Sequence, residues 1–396
     1  MKKEMLALFF LVDALGWIYV KDRPFLDDLV AVRKPIKTIL GYSSAAIPSI
    51  LTGQLPRNHG QWNLLFLNPE GSPFRWIKPL LVLPDPCLEN RWARKAINVI
   101  TRRLTNHEGY FSSYGVPTKM LPMFDLAEKK NLYKPGGVPG SKTIFDLWQA
   151  ENVDYITYSY HESSDEEIIS RMISNIEKGV GTFHFAYLAE VDAFLHQHCK
   201  DEPAVKNVIA KYEKWIRKVI ATGTKHFEKI SFFVFSDHGM TPINRTLDLR
   251  GTVEKSGLKL GQDYLAVYDS TMARFWFRTE RAEPILTEVL STVRGGRLLS
   301  DTEKKELGID FPHNGYGDII FLLEPGLVIS PNFIGSYVPN GMHGFHPDDP
   351  YSDGCFMTNT PHFGPRCITE LRNILSSETY SSQKKDRTTK WGSSRG

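Results

Sequence analysis

The stretch LALFFLVDALGW, residues 6–17, determines the expected fold. Met5 to Val12 is an unbroken apolar run, and Gly16 follows soon after it. A short run without alternation is typical of a strand that is buried on both faces of a parallel sheet. Asp13 comes directly after the last apolar residue. In α/β proteins the carboxyl ends of parallel strands are where functional side chains gather, so we expect a functional role for Asp13.

A secretory signal is the alternative for this segment, because Lys2 and Lys3 precede the apolar run. Against it, the run is short and no A-x-A cleavage site follows. A signal peptide also has no use for Asp13. The four cysteines form no CxxC pair, which fits a reducing compartment. We therefore expect a core strand and a cytoplasmic protein, and a secreted or periplasmic protein is the minority interpretation.

The overall composition limits the possible partners. The chain has 396 residues, 41% of them hydrophobic, which is enough for one large domain or two smaller ones. Its formal net charge is only +3, which argues against binding of a nucleic acid polymer through bulk charge. No apolar run approaches the roughly 18–20 residues needed to cross a bilayer, so no membrane span is expected.

Two further apolar runs, Phe183–Leu188 and Ile230–Phe235, also end in polar clusters. Helical patterns at Asp165–Glu177 and Glu202–Ala221 alternate with them. Strands that alternate with helices predict an α/β fold. The expected architecture is a three-layer αβα sandwich with a mainly parallel central sheet.

The remaining segments suggest insertions around one catalytic domain, which we expect to span residues 1–375. Residues 66–135 are rich in proline, glycine, tryptophan and arginine, and are expected to form a cap. Their aromatic side chains can equally stack on a substrate ring or form the cap's own core. Residues 252–330 hold an apolar strand pair and form a second predicted cap insertion. Residues 376–396 are expected to be a disordered tail.

Five short segments carry the functional prediction, and each is weak alone. A serine at a helix start, for example, is more often an N-cap than a nucleophile. Together, three aspartates, three histidines and a serine suit two zinc sites, and metals roughly 4 Å apart can clamp an in-line displacement. The segments are Asp13, Gly41–Gly60 with Ser43 and Ser44, Asp192–His196, Asp237–Gly239, and Gly341–Gly344 around His343.

The order of these segments resembles the alkaline phosphatase superfamily, and within it the type I phosphodiesterase/nucleotide pyrophosphatase family. The resemblance extends from about residue 5 to 362, and GDIIFLLEPG (317–326) is also similar to a strand segment of that group. It implies one zinc bound by Asp192, His196 and His343, and a second bound by Asp13, Asp237 and His238.

The resemblance also implies a nucleophile that ligates the metals. It stands nine residues before Thr52, at Ser43, with Ser44 as runner-up. The phosphodiesterases usually have threonine there, so serine is a departure. Type I sulfatases have cysteine, which disfavours a sulfatase of that type. The family places an asparagine after the HisGly pair to hold a phosphoryl oxygen, which implies this role for Asn63.

The expected protein is thus a hydrolase of phosphate esters that uses two divalent ions, zinc or alternatively manganese, and a phosphoseryl intermediate. The expected partner is a small phosphate ester or nucleotide derivative, acted on as by a phosphodiesterase/nucleotide pyrophosphatase. The alternatives are a phosphomonoesterase, a phosphonate hydrolase, a phosphotransferase, or a non-catalytic domain that binds metal or nucleotide. The sequence gives no oligomeric state.

Overall fold

A computed structural model describes residues 2–335 and 337–377. Its strands are β1 (Lys3–Val12), β2 (Val32–Ile36), β3 (Leu65–Leu67), β4 (Phe124–Leu126), β5 (Tyr155–Tyr158), β6 (Phe183–Leu188), β7 (Phe227–Phe235), β8 (Thr241–Pro242), β9 (Arg245–Leu247), β10 (Tyr264–Tyr268), β11 (Met272–Phe277), β12 (Gly296–Leu298), β13 (Ile319–Leu323), β14 (Leu327–Ile329), β15 (Gly341–Met342) and β16 (Gly354–Thr358).

The α-helices are α1 (Trp17–Val20), α2 (Ser43–Thr52), α3 (Pro56–His59), α4 (Asp85–Leu88), α5 (Arg91–Thr105), α6 (Ile144–Ala150), α7 (Asp165–Glu177), α8 (Glu190–His198), α9 (Glu202–His226), α10 (Leu249–Glu254), α11 (Ala282–Thr292) and α12 (Asp301–Glu306). Short 3-10 helices lie at Arg75–Val82, Thr118–Met123, Asn314–Tyr316 and Ile368–Glu370.

The central sheet has the strand order β2-β16-β7-β1-β6-β5. β1 pairs in parallel with both β6 and β7, and only β16 runs against the others in this sheet. Val12 lies opposite Leu188, and Leu11 lies opposite Phe235. The expected mainly parallel sheet is therefore confirmed, and its neighbouring strands β7, β1 and β6 end at one edge.

The side chains of β1 explain its unbroken apolar sequence. All residues from Leu6 to Val12 have zero solvent exposure. Phe9 and its neighbours on one face pack in a cluster with α2 and α6. Phe10 and its neighbours on the other face pack with α7, α8 and α9. Helices thus cover both faces, which confirms the predicted three-layer arrangement.

The helix predictions hold with one difference in length. α7 spans the predicted range and begins with a capping box between Ser164 and Glu167. α9 continues five residues beyond the predicted end, to His226. Within this extension, a Cβ on Gly223 would lie 2.7 Å from Leu6 Cδ2 and 2.9 Å from Ile230 Cδ1. A glycine inside the helix therefore lets its last turns approach the sheet closely.

A second, antiparallel sheet of order β10-β11-β13-β12 lies within residues 252–330. It shares an apolar cluster with residues of the 66–135 segment, such as Phe74 and Ile97. The two predicted caps therefore pack on one another, while their assignment as insertions in a single domain stays a prediction. Residues 376 and 377 continue a helix over 371–377, and the rest of the predicted tail lies outside the described residues.

No helix in the described ranges combines the length and apolar character that crossing a membrane requires.

We predict that Gly239→Ala destabilises the fold by about 1–3 kcal/mol, because two backbone segments meet there. A Cβ on Gly239 would lie 2.2 Å from the Tyr351 carbonyl oxygen and 3.2 Å from the Cα of Gly16. Urea unfolding measures the change. Gly315→Ala is the matched control, since the nearest atom to its new Cβ would be 3.5 Å away. Equal destabilisation by both variants would contradict this role for Gly239.

Candidate active site

Three neighbouring parallel strands deliver the predicted carboxylates to one edge of the sheet. Asp13 follows β1, and Asp237 and His238 follow β7. Asp192 and His196 lie on α8, which begins two residues after β6 ends. Because β1 pairs in register with both neighbours, these side chains converge above its carboxyl end.

His343 and Ser43 reach the same place from other elements. His343 follows β15, which pairs with β8, and its ring stacks on that of His238 with a centroid distance of 3.8 Å. Ser43 is the first residue of α2, and its Oγ lies 3.0 Å from His238 Nε2. The structure therefore brings together all six predicted metal ligands and the predicted nucleophile.

One candidate metal-ligand group consists of Asp192, His196 and His343, as the resemblance implied. Asp192 Oδ2 lies 3.3 Å from His196 Nε2, and Asp192 Oδ1 lies 3.4 Å from His343 Nε2. His196 Nδ1 donates to the carbonyl of Gly341 at 2.8 Å. This hydrogen bond orients the ring so that Nε2 faces the site, as is usual for metal-binding histidines.

The second group differs slightly from the expected set. It combines Asp13, His238 and again Asp192, with candidate ligand atoms within 4.8 Å of one another. Asp237 is adjacent, with Oδ2 3.2 Å from His238 Nε2, while its Oδ1 accepts the N–H of Ala14 at 3.3 Å. Asp192 therefore lies between the two groups, which the sequence did not reveal.

The residues present fit two divalent cations. Buried polar atoms are normally hydrogen-bonded, and an orphan costs about 1–3 kcal/mol. Four buried atoms of this cluster nevertheless have no hydrogen-bond partner: Asp13 Oδ1, Asp192 Oδ1, Asp237 Oδ2 and His343 Nδ1. Carboxylate oxygens and imidazole nitrogens are ligands that zinc accepts. Cations would satisfy the three orphaned carboxylate oxygens.

The cluster is also electrostatically unfavourable without cations. Burial, together with the neighbouring carboxylate of Asp237, raises the pKa of Asp13 well above its ordinary value. Burial raises the pKa of Asp237 to about 7. Burial opposes ionisation of Asp192 too, but the charges of His196 and His343 outweigh it and hold the pKa of Asp192 below its usual range. Each carboxylate thus depends on nearby positive charge to ionise.

Tyr187 supports the site and was missed by the sequence reasoning. Its hydroxyl donates to Asp13 Oδ2, and its ring stacks on Tyr133 with a centroid distance of 5.0 Å. This contact leaves Asp13 Oδ1 as the atom directed at the site. The available signal was a hydroxyl-bearing residue near the carboxyl end of the apolar strand FHFAYL.

The two serines and Asn63 are placed differently. The Ser44 hydroxyl donates to the carbonyl of Trp62 at 3.0 Å, so it is engaged with the backbone, unlike that of Ser43. Asn63 is buried, with Nδ2 3.5 Å from Met272 Sδ. It does not line the cavity beside Ser43, although Leu64 does. The phosphoryl-binding role of Asn63 stays a prediction.

A cavity of about 400 Å³ opens beside Ser43. Six tyrosines line it, and they come from the core and from the 66–135 segment: Tyr42, Tyr110, Tyr114, Tyr133, Tyr160 and Tyr187. The carboxylates of Glu128 and Asp269 also face it. The aromatics of the 66–135 segment are therefore divided: some line the cavity, while Phe74 belongs to the cap core.

A buried ion pair fixes one wall of the cavity. Arg274 has zero exposure, and its Nε donates to Asp269 Oδ2 at 2.8 Å. Its Nη1 also donates to the carbonyl of Leu65 in β3, at 2.7 Å. The second sheet is thereby joined to the start of the 66–135 segment, next to the site.

Three other histidines, His59, His184 and His198, have structural surroundings. His184 is buried and hydrogen-bonds to the Tyr158 hydroxyl at 2.9 Å. His198 stacks on Phe194, away from the ligand cluster. His59 hydrogen-bonds to Ser49 of α2 at 2.8 Å, and burial lowers its pKa to about 3. His59 is thus a neutral brace for the loop after the nucleophile helix.

The sequence model of the type I phosphodiesterase / nucleotide pyrophosphatase family matches residues 7–346. The chain belongs to this family. Membership makes it an enzyme, a hydrolase of the phosphodiesterase/nucleotide pyrophosphatase type, and the family is metal-dependent. A search of curated proteins finds no match to the sequence.

Solved structures show the same fold. Murine and human ectonucleotide pyrophosphatase / phosphodiesterase 5 each align with a TM-score of 0.64 over 94% of both chains, at 14% identity. An inactive variant of the murine protein in complex with AMP aligns equally well. At this identity the likeness establishes the fold.

We predict that Glu128→Gln stabilises the protein in a pH-dependent way. Burial raises the pKa of Glu128 from 4.5 to about 7. Between these values the folded state keeps a proton that the unfolded state loses, so the wild type loses stability as pH rises. Gln removes this loss, which amounts to at most about 3 kcal/mol.

Urea unfolding at pH 5 and pH 8 tests this effect. The free energy of unfolding of the variant, relative to that of the wild type, should be higher at pH 8 than at pH 5. Glu128 Oε1 accepts the N–H of Tyr110 at 3.0 Å, and the Gln carbonyl can keep that hydrogen bond. A difference between variant and wild type that does not change with pH would refute the buried-carboxyl assignment.

Proposed function

We propose that this enzyme hydrolyses phosphate diesters or diphosphates of the nucleotide type at a two-metal site, with Ser43 as nucleophile. The observation that carries the proposal is the position of Ser43. Its hydroxyl lies at the start of α2, 3.0 Å from His238, which belongs to the ligand cluster. Ser44 is the alternative nucleophile, but its hydroxyl is held by the Trp62 carbonyl.

The metal ligands would be Asp192, His196 and His343 for one ion, and Asp13, Asp237 and His238 for the other. The proximity of Asp192 to both groups supports a pair of sites rather than two unrelated ones. The mixed nitrogen and oxygen ligands favour zinc, and oxygen-rich sites also accept manganese. Bound divalent ions would supply the positive charge that stabilises developing negative charge on the reacting oxygens.

The reaction then follows from the position of the serine. Ser43 Oγ attacks phosphorus in line, its proton passes to solvent, and the bond from phosphorus to the leaving-group oxygen breaks. The leaving oxygen keeps the electron pair of the broken bond and, where it is an alkoxide, takes a proton from solvent. The products are a phosphoseryl enzyme and an alcohol or a phosphate. Water hydrolyses the phosphoseryl bond and restores Ser43. The amino end of α2 faces the reacting group, and its free backbone N–H groups favour a phosphoryl anion there.

The cavity favours a diester over a monoester. A phosphate monoester carries an extra negative charge, which usually requires a cationic side chain. None of the described residues that line the cavity is lysine or arginine, while Glu128 and Asp269 are carboxylates. Two arginines of the 66–135 segment have contacts elsewhere: Arg94 pairs with Glu89, and Arg91 lies on Trp92.

A nucleotide substrate fits the remaining features. Tyrosine rings offer flat faces that stack on a base or sugar. The structural neighbour in complex with AMP supports a nucleotide ligand for this fold. We also propose that residues 1–375 act as one catalytic domain and that the protein is cytoplasmic. The four free cysteines, two of them buried, support a reducing compartment.

We predict that a nitrophenyl ester of thymidine 5′-monophosphate is the best substrate of a nitrophenyl panel. Its kcat/KM should exceed that of the monoester by more than about tenfold. Ser43→Ala should lower kcat/KM by about 10³-fold or more, because the attacking oxygen is lost. The matched control, Ser44→Ala, should retain most of the activity.

The outcomes of this panel separate the alternatives. Full activity in Ser43→Ala, with loss in Ser44→Ala, would move the nucleophile by one residue. If the monoester or the sulfate has the highest kcat/KM, the proposed substrate class is wrong, while the assignment of the site residues still stands.

We predict that the purified protein binds two zinc ions per chain and that removing them with a chelator abolishes activity. Asp192→Asn should leave about one ion or none, since Asp192 belongs to both candidate groups. Elemental analysis after dialysis measures this directly. His198→Asn is the control, because His198 lies on the same helix but stacks on Phe194. Retention of both ions in Asp192→Asn would refute the assigned ligands.

A further inference from the structure

Exposed apolar side chains are concentrated in one part of the chain. Of the thirteen large hydrophobic residues exposed in the described ranges, eight lie between residues 80 and 110. Val82 is 87% exposed, and Trp92 and Leu104 are 65% and 66% exposed. Single exposed apolar residues are ordinary, but a contiguous group marks an interaction site.

Helix α5 presents four of these eight side chains as a stripe. Trp92, Val99, Ile100 and Leu104 are exposed and recur at helical spacing on one side. The adjoining side contains Ile97 and Thr101, which are buried, and Thr101 Oγ1 accepts the indole N–H of Trp76 at 2.9 Å. The helix is thus held to the protein by one face while its apolar stripe points outward. We call residues 80–83 together with the outward side of α5 the cap face.

Basic side chains are mixed with this stripe. Residues 75–105 contain seven lysines and arginines against two acidic residues, in a chain whose net charge is only +3. Arg91, Lys95, Arg102 and Arg103 have no carboxylate within 4.0 Å in the part of the chain that the structure describes. Arg91 instead lies over the ring of Trp92, 4.6 Å from its centroid. The positive charge is therefore free to meet an external anion.

The combination of apolar and unpaired basic side chains on the cap face favours a membrane surface over a second protein as its partner. In a two-fold dimer the cap face would meet itself, which would place unpaired cations against identical cations. Protein interfaces are also depleted in lysine at their centres. A helix with apolar residues, a tryptophan and unpaired basic residues has the composition of a helix that lies in a membrane interface. Anionic head groups complement its charge.

We propose that the cap face docks on the surface of a membrane that contains anionic lipids. Trp92 and Leu104 would insert among the acyl chains, and Lys95 and Arg103 would contact the head groups. The chain continues from α5 into the loop that carries Tyr110 and Tyr114, which line the active-site cavity. Docking would therefore bring the side of the molecule that bears the cavity close to the membrane surface.

Vesicle sedimentation of the full-length protein tests the proposal. The protein should sediment with vesicles of phosphatidylcholine and phosphatidylserine, and raised salt should release it. The variant Trp92→Glu/Leu104→Glu should bind at least about tenfold more weakly. The matched control is Val180→Glu, because Val180 is 49% exposed in the turn before β6, at the opposite edge of the sheet. Circular dichroism and thermal melts verify that each variant is folded, independently of any activity.

A charge pair of variants separates the two contributions. Lys95→Glu/Arg103→Glu should lose the preference for phosphatidylserine, whereas Lys206→Glu/Lys214→Glu, which alters exposed lysines of α9, should keep it. The proposal is overturned if the wild type does not sediment with anionic vesicles, or if the control variants weaken binding as much. It is also overturned if sedimentation velocity shows a dimer that Trp92→Glu/Leu104→Glu dissociates, because the cap face would then bind a second copy.

Discussion

The parallel pairing of β1 with both β6 and β7 is the constraint on which the site depends. Val12 lies opposite Leu188, and Leu11 lies opposite Phe235, so the three strands end within one residue of each other. A shift of β1 by one residue would turn its apolar side chains to the wrong faces. It would also direct Asp13 away from the cluster. Burial of seven consecutive residues of β1 thus fixes the position of one carboxylate.

The cluster of candidate metal ligands at this edge destabilises the fold and favours cation binding, and both effects have the same cause. Burial raises the pKa of Asp13 and Asp237, because charge is costly where water is excluded. The same exclusion of water strengthens the attraction of these carboxylates for a cation. Orphaned atoms such as Asp192 Oδ1 show that hydrogen bonds within the chain do not satisfy the site. The scaffold therefore holds together carboxylates that repel one another, and a bound cation would offset that repulsion.

The sequence predicted the parts of the site that depend on local pattern. The apolar runs of β1, β6 and β7 identify strands, and the polar residues just after them must lie at one edge. Features created by distant contacts were not visible. From the sequence, Tyr187 is one more buried strand residue, and only the structure shows its hydroxyl donating to Asp13. Glu128 has the sequence context of a surface charge, and only the structure shows that it is buried. The place of Asp192 between the two groups depends on the exact path of α8, which periodicity does not give.

The extra length of α9 and the packing of the two predicted caps have a similar explanation. Gly223 has a low intrinsic helix propensity, so the sequence does not favour a helix through it. The structure shows why glycine is there: a larger side chain would clash with Leu6 and Ile230 of the sheet. Residues 66–135 and 252–330 share one apolar cluster, and the sequence of neither segment alone predicts this contact. Long-range packing thus determines the length of α9 and the contact between the two caps, whereas the local pattern of apolar residues was enough to predict the strands.

The buried pair of Asp269 and Arg274 has a consequence for how the enzyme handles substrate. Asp269 and Arg274 both belong to the hairpin of β10 and β11, so their ion pair would survive a movement of the second sheet. Such a movement away from β3 would instead break the hydrogen bond from Arg274 Nη1 to the Leu65 carbonyl and leave that donor unsatisfied in a buried place. This seam therefore resists opening, and the part of the cavity wall that Asp269 and Leu65 form is preorganised for a ligand.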